Sequence, residues 1–572
     1  MADAANKPCL VEAGQGFSIL YQNRHLYSRF APQKAILQAV ANLTILPGTL
    51  IICASPCLWY GMAELLAKLP DGCHILALEA DKELEKLSLT ELTKQAFRAD
   101  SRLHILPADA WAEGGKAAAY ALAELVQAGG KSEKSLLPRL QTFRRAILVE
   151  MSGGSTLHKA SYQAAAYGAE SVIATFWKNR LTLTRFGRLY ARNVFRNLCR
   201  QEESSPLASL LGSVHKPILL FGAGESAEAT LEALPRSLFS RAFILAVDAA
   251  LPLLSARGIA ADGLVAVESQ LAIEKAYIGN PRRVPLLLAD LVSRPAVTCH
   301  HAAGGRVSFF LSAYTDAAFI RDLDEKNLLP PQVPPLGSVG LTATYLALHL
   351  RADESIPVFV TGLDFSYSLG ATHARGAPAH TARLTKANRL QPLANIDAAF
   401  KNGAKTVPGK KGAVITDVAL SGYAGQFAET FTAIKNLYDA GESGLPLSLP
   451  RVSSIQLATY LASAPVLPTQ SAPSSQAGAA APGSPDFRSR LTAYLKQEHD
   501  ALFRLKTLLI QGEAARSPAM TVQEEITALL TPRDYLYLHF PDGYTCRPQD
   551  VDFLKRVRSE IDFFLKDISI SR

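Results

Sequence analysis

KPILLFGAGESAEATLEALPRSLFSRAFILAVD runs from Lys216 to Asp248. An apolar run, Pro217–Phe221, ends in Gly222-Ala-Gly224-Glu-Ser226. A helical pattern follows, and a second apolar run, Ala242–Val247, ends in Asp248. The order is strand, turn, helix, strand. Glycines let the backbone turn tightly and approach a ligand. The helix N-terminus behind them offers unpaired N–H groups and a positive dipole end to a phosphate. Asp248 stands where nucleotide-binding α/β folds hold a ribose hydroxyl. Gly222, Gly224 and Ala227 fit the dinucleotide fingerprint with alanine in third place. Nicotinamide or flavin binding and a ligand-free βα turn therefore both stay open.

Upstream, short apolar runs at Thr49–Cys53, Cys73–Leu78, Leu103–Leu106 and Arg145–Glu150 alternate with helical patterns such as Leu58–Leu69. This alternation implies a parallel, Rossmann-like sheet over residues 1–155. Glu79 follows the second run, where a methyltransferase would hold the ribose of S-adenosylmethionine. The first turn, Ala54-Ser55-Pro56-Cys57, lacks glycines, which points to a degenerate, structural domain. Phe176–Arg200 places Arg185, Arg188, Arg192, Arg196 and Arg200 on one helical face. Leu183, Phe186, Tyr190, Val194 and Leu198 lie on the other. The ridge reads as a solvated face, with an anionic partner or lipid surface as the other reading. It belongs to a helical bridge, 156–213.

Downstream, 214–465 forms a central α/β domain. Gly263–Glu268 and Pro285–Ala289 are further strands, and Ala313–Leu323 looks helical. Ser338 of Leu336-Gly337-Ser338-Val339-Gly340 is placed to cap a helix reaching Leu350. Ile356–Val360 leads into Thr361-Gly362-Leu363-Asp364. The stretch 466–486 is rich in Pro, Ser, Ala and Gly and reads as a linker. Residues 487–572 show helical spacing of Leu502, Leu505 and Leu509, and of Val557, Ile561, Phe564 and Ile568, implying a small all-α module.

The 572 residues are 48% apolar, so sizeable cores are feasible. A formal charge of +8 is mild at this length. It suits an anionic ligand without calling for nucleic acid. Seven scattered cysteines without a CxxC pair suggest reduced thiols and a cytoplasmic protein. MADAANKPCLVEAGQG has no signal-peptide pattern, and no apolar run approaches the ~20 residues of a membrane span.

Several pieces carry a resemblance: FGAGESAEATL, ILAVDAALPLL, GIAADGLVAVESQ, GSVGLTATYLALHL and FVTGLDFSYSLGATHARG. In this order they resemble the motility accessory factor (Maf) flagellin glycosyltransferases with their MptE-like domain. YSRFAPQKA and FWKNRLTLTRFGRLYARNVFRNL resemble longer spirochaete members. The glycine-rich turn and Gly362-Leu-Asp364-Phe365 also resemble sialyltransferases that use CMP-activated sugars. The archaeal hydroxymethylpterin diphosphokinases share the turn and Asp248. Two departures stand out: Glu225 replaces a usual proline, and Glu268-Ser269-Gln270 replaces an aspartate.

The resemblance implies a cytoplasmic enzyme that transfers a nonulosonic, sialic-acid-like sugar from CMP to Ser or Thr of flagellin. An ATP-dependent pterin diphosphokinase and a non-catalytic flagellin-binding factor are the alternatives. Expected nucleotide contacts are Gly222, Gly224, Glu225, Ser226, Asp248, Glu268, Gln270, Gly337, Ser338 and Gly362. Asp364 lies at the ligand-binding edge of the sheet, and also suits a turn or cap. His373, in a Gly/Ser/Thr-rich loop, is the expected base, because neutral imidazole accepts protons near pH 7. His380 and His300-His301 are weaker candidates. Asp322-Leu-Asp324 and Asp550-Val-Asp552 match the Asp-x-Asp of metal-dependent transferases but sit near expected helix ends, where carboxylates usually cap. No cofactor is required by this reading. No metal ligand is assigned, and a need for a divalent ion stays open.

Overall fold

The computed structural model describes residues 7–111, 115–129, 135–279, 284–302, 306–392, 396–465, 485–514 and 520–571. Most of the expected linker, 466–484, lies outside the described residues. Its last two positions, 485 and 486, already belong to a helix. The chain divides into two compact units, Met1–Thr182 and Leu183–Arg572.

The first unit opens with β1 (Cys9–Ala13), β2 (Gly16–Tyr21) and β3 (Arg24–His25) in an antiparallel sheet. The polar start of the chain gave no sign of it. After α1 (Lys34–Asn42) come β4 (Thr49–Ala54), α2 (Met62–Ala67), β5 (His74–Leu78), α3 (Lys82–Leu92), β6 (Leu103–Leu106), α4 (Gly115–Ala128) and β7 (Arg145–Glu150). Their sheet is parallel, in the order β6-β5-β4-β7. Every residue of β4 is buried, as a strand covered on both faces requires. The Rossmann-like reading of the apolar runs is correct.

α5 (Lys159–Leu198) supplies residues to both units. The second unit continues with β8 (Ile218–Phe221), α6 (Glu225–Ala233), α7 (Arg236–Phe239), β9 (Phe243–Val247), α8 (Leu251–Ala256), β10 (Gly263–Ala266), β11 (Leu286–Asp290), α9 (Pro295–Ala302), β12 (Arg306–Ser312), α10 (Ala318–Glu325), β13 (Gln332–Val333), α11 (Val339–Leu350) and β14 (Val358–Thr361). Next come α12 (Pro378–Leu384), the hairpin β15 (Lys405–Gly409) and β16 (Gly412–Thr416), α13 (Val418–Phe431), β17 (Leu437–Asp439), α14 (Ser454–Ser463), α15 (Pro485–Ala514), α16 (Met520–Leu530) and α17 (Val551–Ser571). The large sheet has eight parallel strands in the order β13-β12-β11-β10-β9-β8-β14-β17. From β8 the chain builds outward to β13, then crosses to β14 on the other side. The strand order reverses between β8 and β14, the place where open α/β sheets form their ligand crevice.

The C-terminal region is helical, as expected, and it shares a core with the large sheet. One hydrophobic core runs from Leu183 through the sheet to Ile568, and Val557, Ile561, Phe564 and Ile568 are each 0% exposed within it. Three of the five arginines on the ridge are paired within the protein, while Arg185 stays exposed. Arg188 donates to Glu560, and Arg192 and Arg196 both donate to Asp567, all on α17. Asp567 is fully buried. A buried carboxylate needs paired donors to be tolerated, so the two helices satisfy each other. The opposite face, with Leu183, Val194 and Leu198, is buried as its spacing implied.

Candidate active site

At the strand-order reversal, the turns after β8 and β14 interlock. Gly222 N donates to Thr361 O at 2.7 Å, and Gly224 N to Gly362 O at 2.9 Å. The glycines are demanded by this contact. A Cβ on Gly222 would stand 2.2 Å from Gly362 O, and one on Gly224 2.5 Å from Asp364 Oδ2. Gly362 has φ +72 and faces Gly222 O at 2.4 Å from its own Cβ position. Backbone-to-backbone packing thus explains the motif, rather than approach to a ligand alone.

Asp364 takes the place first assigned to a phosphate. It is 4% exposed. Its Oδ2 accepts from Ser226 N at 2.9 Å, and its Oδ1 accepts from the Ser226 hydroxyl. Ser226 Oγ in turn accepts from Gly362 N at 2.8 Å. The free N–H at the start of α6 is therefore capped by a carboxylate from the next loop. Burial lifts Asp364 to about 6, against the pull of the Ser226 bonds and of Lys410. Asp364 holds the two turns together.

Lys410 was not expected. It sits in the turn between β15 and β16, and its side chain is 2% exposed. Its ammonium donates to both oxygens of Asp439, at 2.9 Å each. The nearest signal in the sequence is Gly409-Lys-Lys-Gly412 between two alternating runs, a hairpin pattern.

The histidine loop reaches the same place. Ala374 N donates to Ala223 O at 2.9 Å, so His373 is tied to the glycine-rich turn. His373 Nδ1 lies 3.2 Å from Thr372 Oγ1. Burial, then Arg383, then His380 hold it below the usual imidazole range. That direction favours the neutral imidazole, the form that accepts a proton. Arg375 anchors this loop to α6 through Glu228. Glu225, whose charge stood awkwardly beside a phosphate, gives its carboxylate to the Ser368 hydroxyl. Burial raises it, and His380 opposes the rise. His380 is buried on α12, and its Nδ1 has no partner among the described residues.

The other expected contacts spread along the same sheet edge. Asp248 follows β9, is 2% exposed and is pushed up to about 7, chiefly by burial. Glu268 follows β10, and its Oε1 accepts from Gln270 N at 2.9 Å. Gln270 itself is exposed. Ser338 caps α11 by accepting from Gly340 N at 3.3 Å, as its position suggested. Gly337 has φ +70, and a Cβ there would meet the Tyr423 ring at 3.2 Å. Tyr190, also at this edge, is raised to about 12 by burial and the Glu268 charge.

The remaining candidates fall elsewhere. His301 is buried on α9, with Nδ1 3.1 Å from Val297 O. Asp322 pairs with Lys326, and Asp550 accepts from Asp552 N and Phe553 N at the start of α17. Among the described residues, no three His, Cys, Asp or Glu side chains gather as metal ligands.

Known proteins match this architecture. The family model described as 6-hydroxymethylpterin diphosphokinase MptE-like matches residues 192–370, which hold the interlocked turns. An uncharacterized protein of Treponema pallidum (strain Nichols) is 34% identical over 574 residues, 98% of this chain and 95% of that protein. The chain and this spirochaete protein belong to one family, and the matched stretch is an MptE-like domain. A Maf glycosyltransferase from Magnetospirillum magneticum AMB-1 shares the fold, with a TM-score of 0.51 at 13% identity. The match covers 99% of this chain and 91% of that one. Among the described residues of this family member, no helix is long and apolar enough to cross a membrane.

Proposed function

We propose that the protein is a glycosyltransferase that moves a nonulosonic sugar from a CMP donor to a Ser or Thr hydroxyl of flagellin, acting in the cytoplasm. The observation that carries this reading is the bond from Ala374 N to Ala223 O, which sets His373 beside the interlocked turns. The fold shared with the Maf glycosyltransferase and the MptE-like domain support it. In this reading His373 takes the proton of the acceptor hydroxyl. The acceptor oxygen bonds to the anomeric carbon as the bond from that carbon to the CMP phosphate oxygen breaks. The phosphate leaves toward the N-terminus of α11 behind Gly337-Ser338, whose cap is a neutral hydroxyl, because a carboxylate, Asp364, caps α6. Asp248, Glu268 and Gln270 take the nucleoside. A metal is not needed for this route.

The test is a thermal-shift panel of CMP, CMP-linked sugars, ATP, NAD and S-adenosylmethionine on the full chain. A ligand at a hundred times its Kd stabilises by about 2.7 kcal/mol. Cytidine nucleotides alone should raise the midpoint. A shift with ATP and none with CMP would end the proposal.

A further inference from the structure

Asp248 Oδ2 and the Tyr277 hydroxyl are among the buried polar atoms at this sheet edge that have no hydrogen-bond partner among the described residues. Folded proteins leave few such atoms, because each forfeits its bonds to water. The two belong together. Asp248 opens the 3₁₀ turn after β9, and Tyr277 closes the 3₁₀ turn Leu271–Ala276 after β10. These turns pack on each other, and the Asp248 charge adds to burial in raising the Tyr277 phenol.

Both groups are held in place. Ala249 N binds the other Asp248 oxygen at 2.7 Å, fixing the carboxylate. The Tyr277 ring stands edge-on to His301 at 5.3 Å and 75°. Glu268, on the neighbouring strand end, adds a second negative charge that raises Asp248. The subsite thus presents an acceptor, a hydroxyl that can give or take, and negative charge nearby. A phosphate would be repelled here. An apolar group would leave both atoms unpaired. Two adjacent hydroxyls match it: one donates to Asp248 Oδ2, the other exchanges a hydrogen bond with Tyr277.

We propose that Asp248 and Tyr277 form a subsite for the vicinal diol of a ribonucleotide, and that Tyr277 makes the site prefer ribose over 2′-deoxyribose. This rests on the nucleotide reading of the cleft but not on the identity of the base. A deoxy ligand leaves the buried phenol unpaired, which is how sites built for a hydroxyl reject analogues that lack it.

The experiment is calorimetry on the full chain and on Tyr277→Phe, with CMP against dCMP and AMP against dAMP. The wild type should bind the ribonucleotide about three- to tenfold more tightly, the usual worth of one hydrogen bond. Tyr277→Phe should bind both sugars alike. Its ligand-free melting midpoint should be unchanged or higher, since the lost hydroxyl had no partner. A ribose preference that survives in Tyr277→Phe, or a midpoint that falls by several degrees, overturns the subsite. Binding of AMP rather than CMP, with the preference erased by Tyr277→Phe, sustains the subsite and removes the CMP reading. No binding of any of the four overturns both.

Discussion

β4 and β8 each start a parallel sheet whose strand order reverses beside them, and each sheet sets a carboxylate just past its second strand. In the first unit that residue is Glu79, in the second Asp248. Glu79 is used up internally. Its Oε2 accepts from Ser55 Oγ at 2.7 Å. Its Oε1 accepts from Tyr162 at 2.8 Å and Ala80 N at 3.1 Å. The turn itself, without glycine, holds Ser55, Cys57 and Trp59 at φ 52, 44 and 59, a region non-glycine residues seldom enter. Ser55 and Cys57 of the turn direct their side chains to Glu79. Asp248 keeps one oxygen without a partner among the described residues. Topology places the crevice in both units, and the valences left unspent decide whether anything can bind there.

The largest effect should come from the functional crevice. His373→Asn should cut sugar transfer by roughly two to four orders of magnitude, the usual worth of a general base. CMP affinity should hardly change, because the base faces the acceptor. Mass spectrometry of flagellin co-expressed with each variant and the sugar-nucleotide pathway reads the outcome. Full modification would remove His373 from the reaction and turn attention to His380. Loss of CMP binding as well would place His373 in the donor site.

The interlocked turns come next. Gly224→Val drives a side chain into Asp364 and Gly362. Overpacking costs about 1–3 kcal/mol, and the Ser226–Asp364 bonds would go with it, so a fall of about 3 kcal/mol is expected in urea unfolding. A stable variant that only loses nucleotide would mean that the glycine serves the ligand rather than the contact. Asp567→Asn strands two arginines at the α5–α17 contact. Breaking a fully buried pair costs ~3–5 kcal/mol, and about 2 kcal/mol is expected here because both guanidiniums reach water. No loss of stability would return the arginine ridge to a solvated face.

Much of this was legible before any fold was seen. The runs Pro217–Phe221, Ala242–Val247 and Gly263–Glu268 became β8, β9 and β10, shifted by no more than two residues at an end. Fully buried parallel strands announce themselves as unbroken apolar runs. The Ser338 cap was legible because capping is local. What stayed hidden depends on residues far apart in sequence. Asp364 lies 138 residues from the helix it caps, and Asp567 lies 371 from Arg196. No local pattern records either bond. Tyr277 carried no signal at all, since a buried hydroxyl without a partner is visible only once its neighbours are placed.

The smallest effect is the one that separates Glu79 from Asp248 most cleanly. Both carboxyls stand at about 7 in the folded protein, chiefly through burial, against ordinary values of 4.5 and 3.8. The folded state therefore binds each proton more tightly than the unfolded chain does. Stability falls as pH rises from those ordinary values to about 7, and is level above it. Glu79→Gln and Asp248→Asn should each flatten part of that fall. Each should raise the unfolding free energy from urea titration at pH 8 by on the order of 1 kcal/mol, one pKa unit being ~1.4 kcal/mol. Ligand then divides them. Glu79→Gln should bind cytidine like the wild type. Asp248→Asn should gain stability and lose affinity, the exchange expected where a free oxygen is kept for a ligand. Urea titrations at pH 5, 6, 7 and 8, with and without cytidine, read both effects. A cytidine affinity left intact by Asp248→Asn would make Asp248 as structural as Glu79, and the contrast between the two crevices would fall.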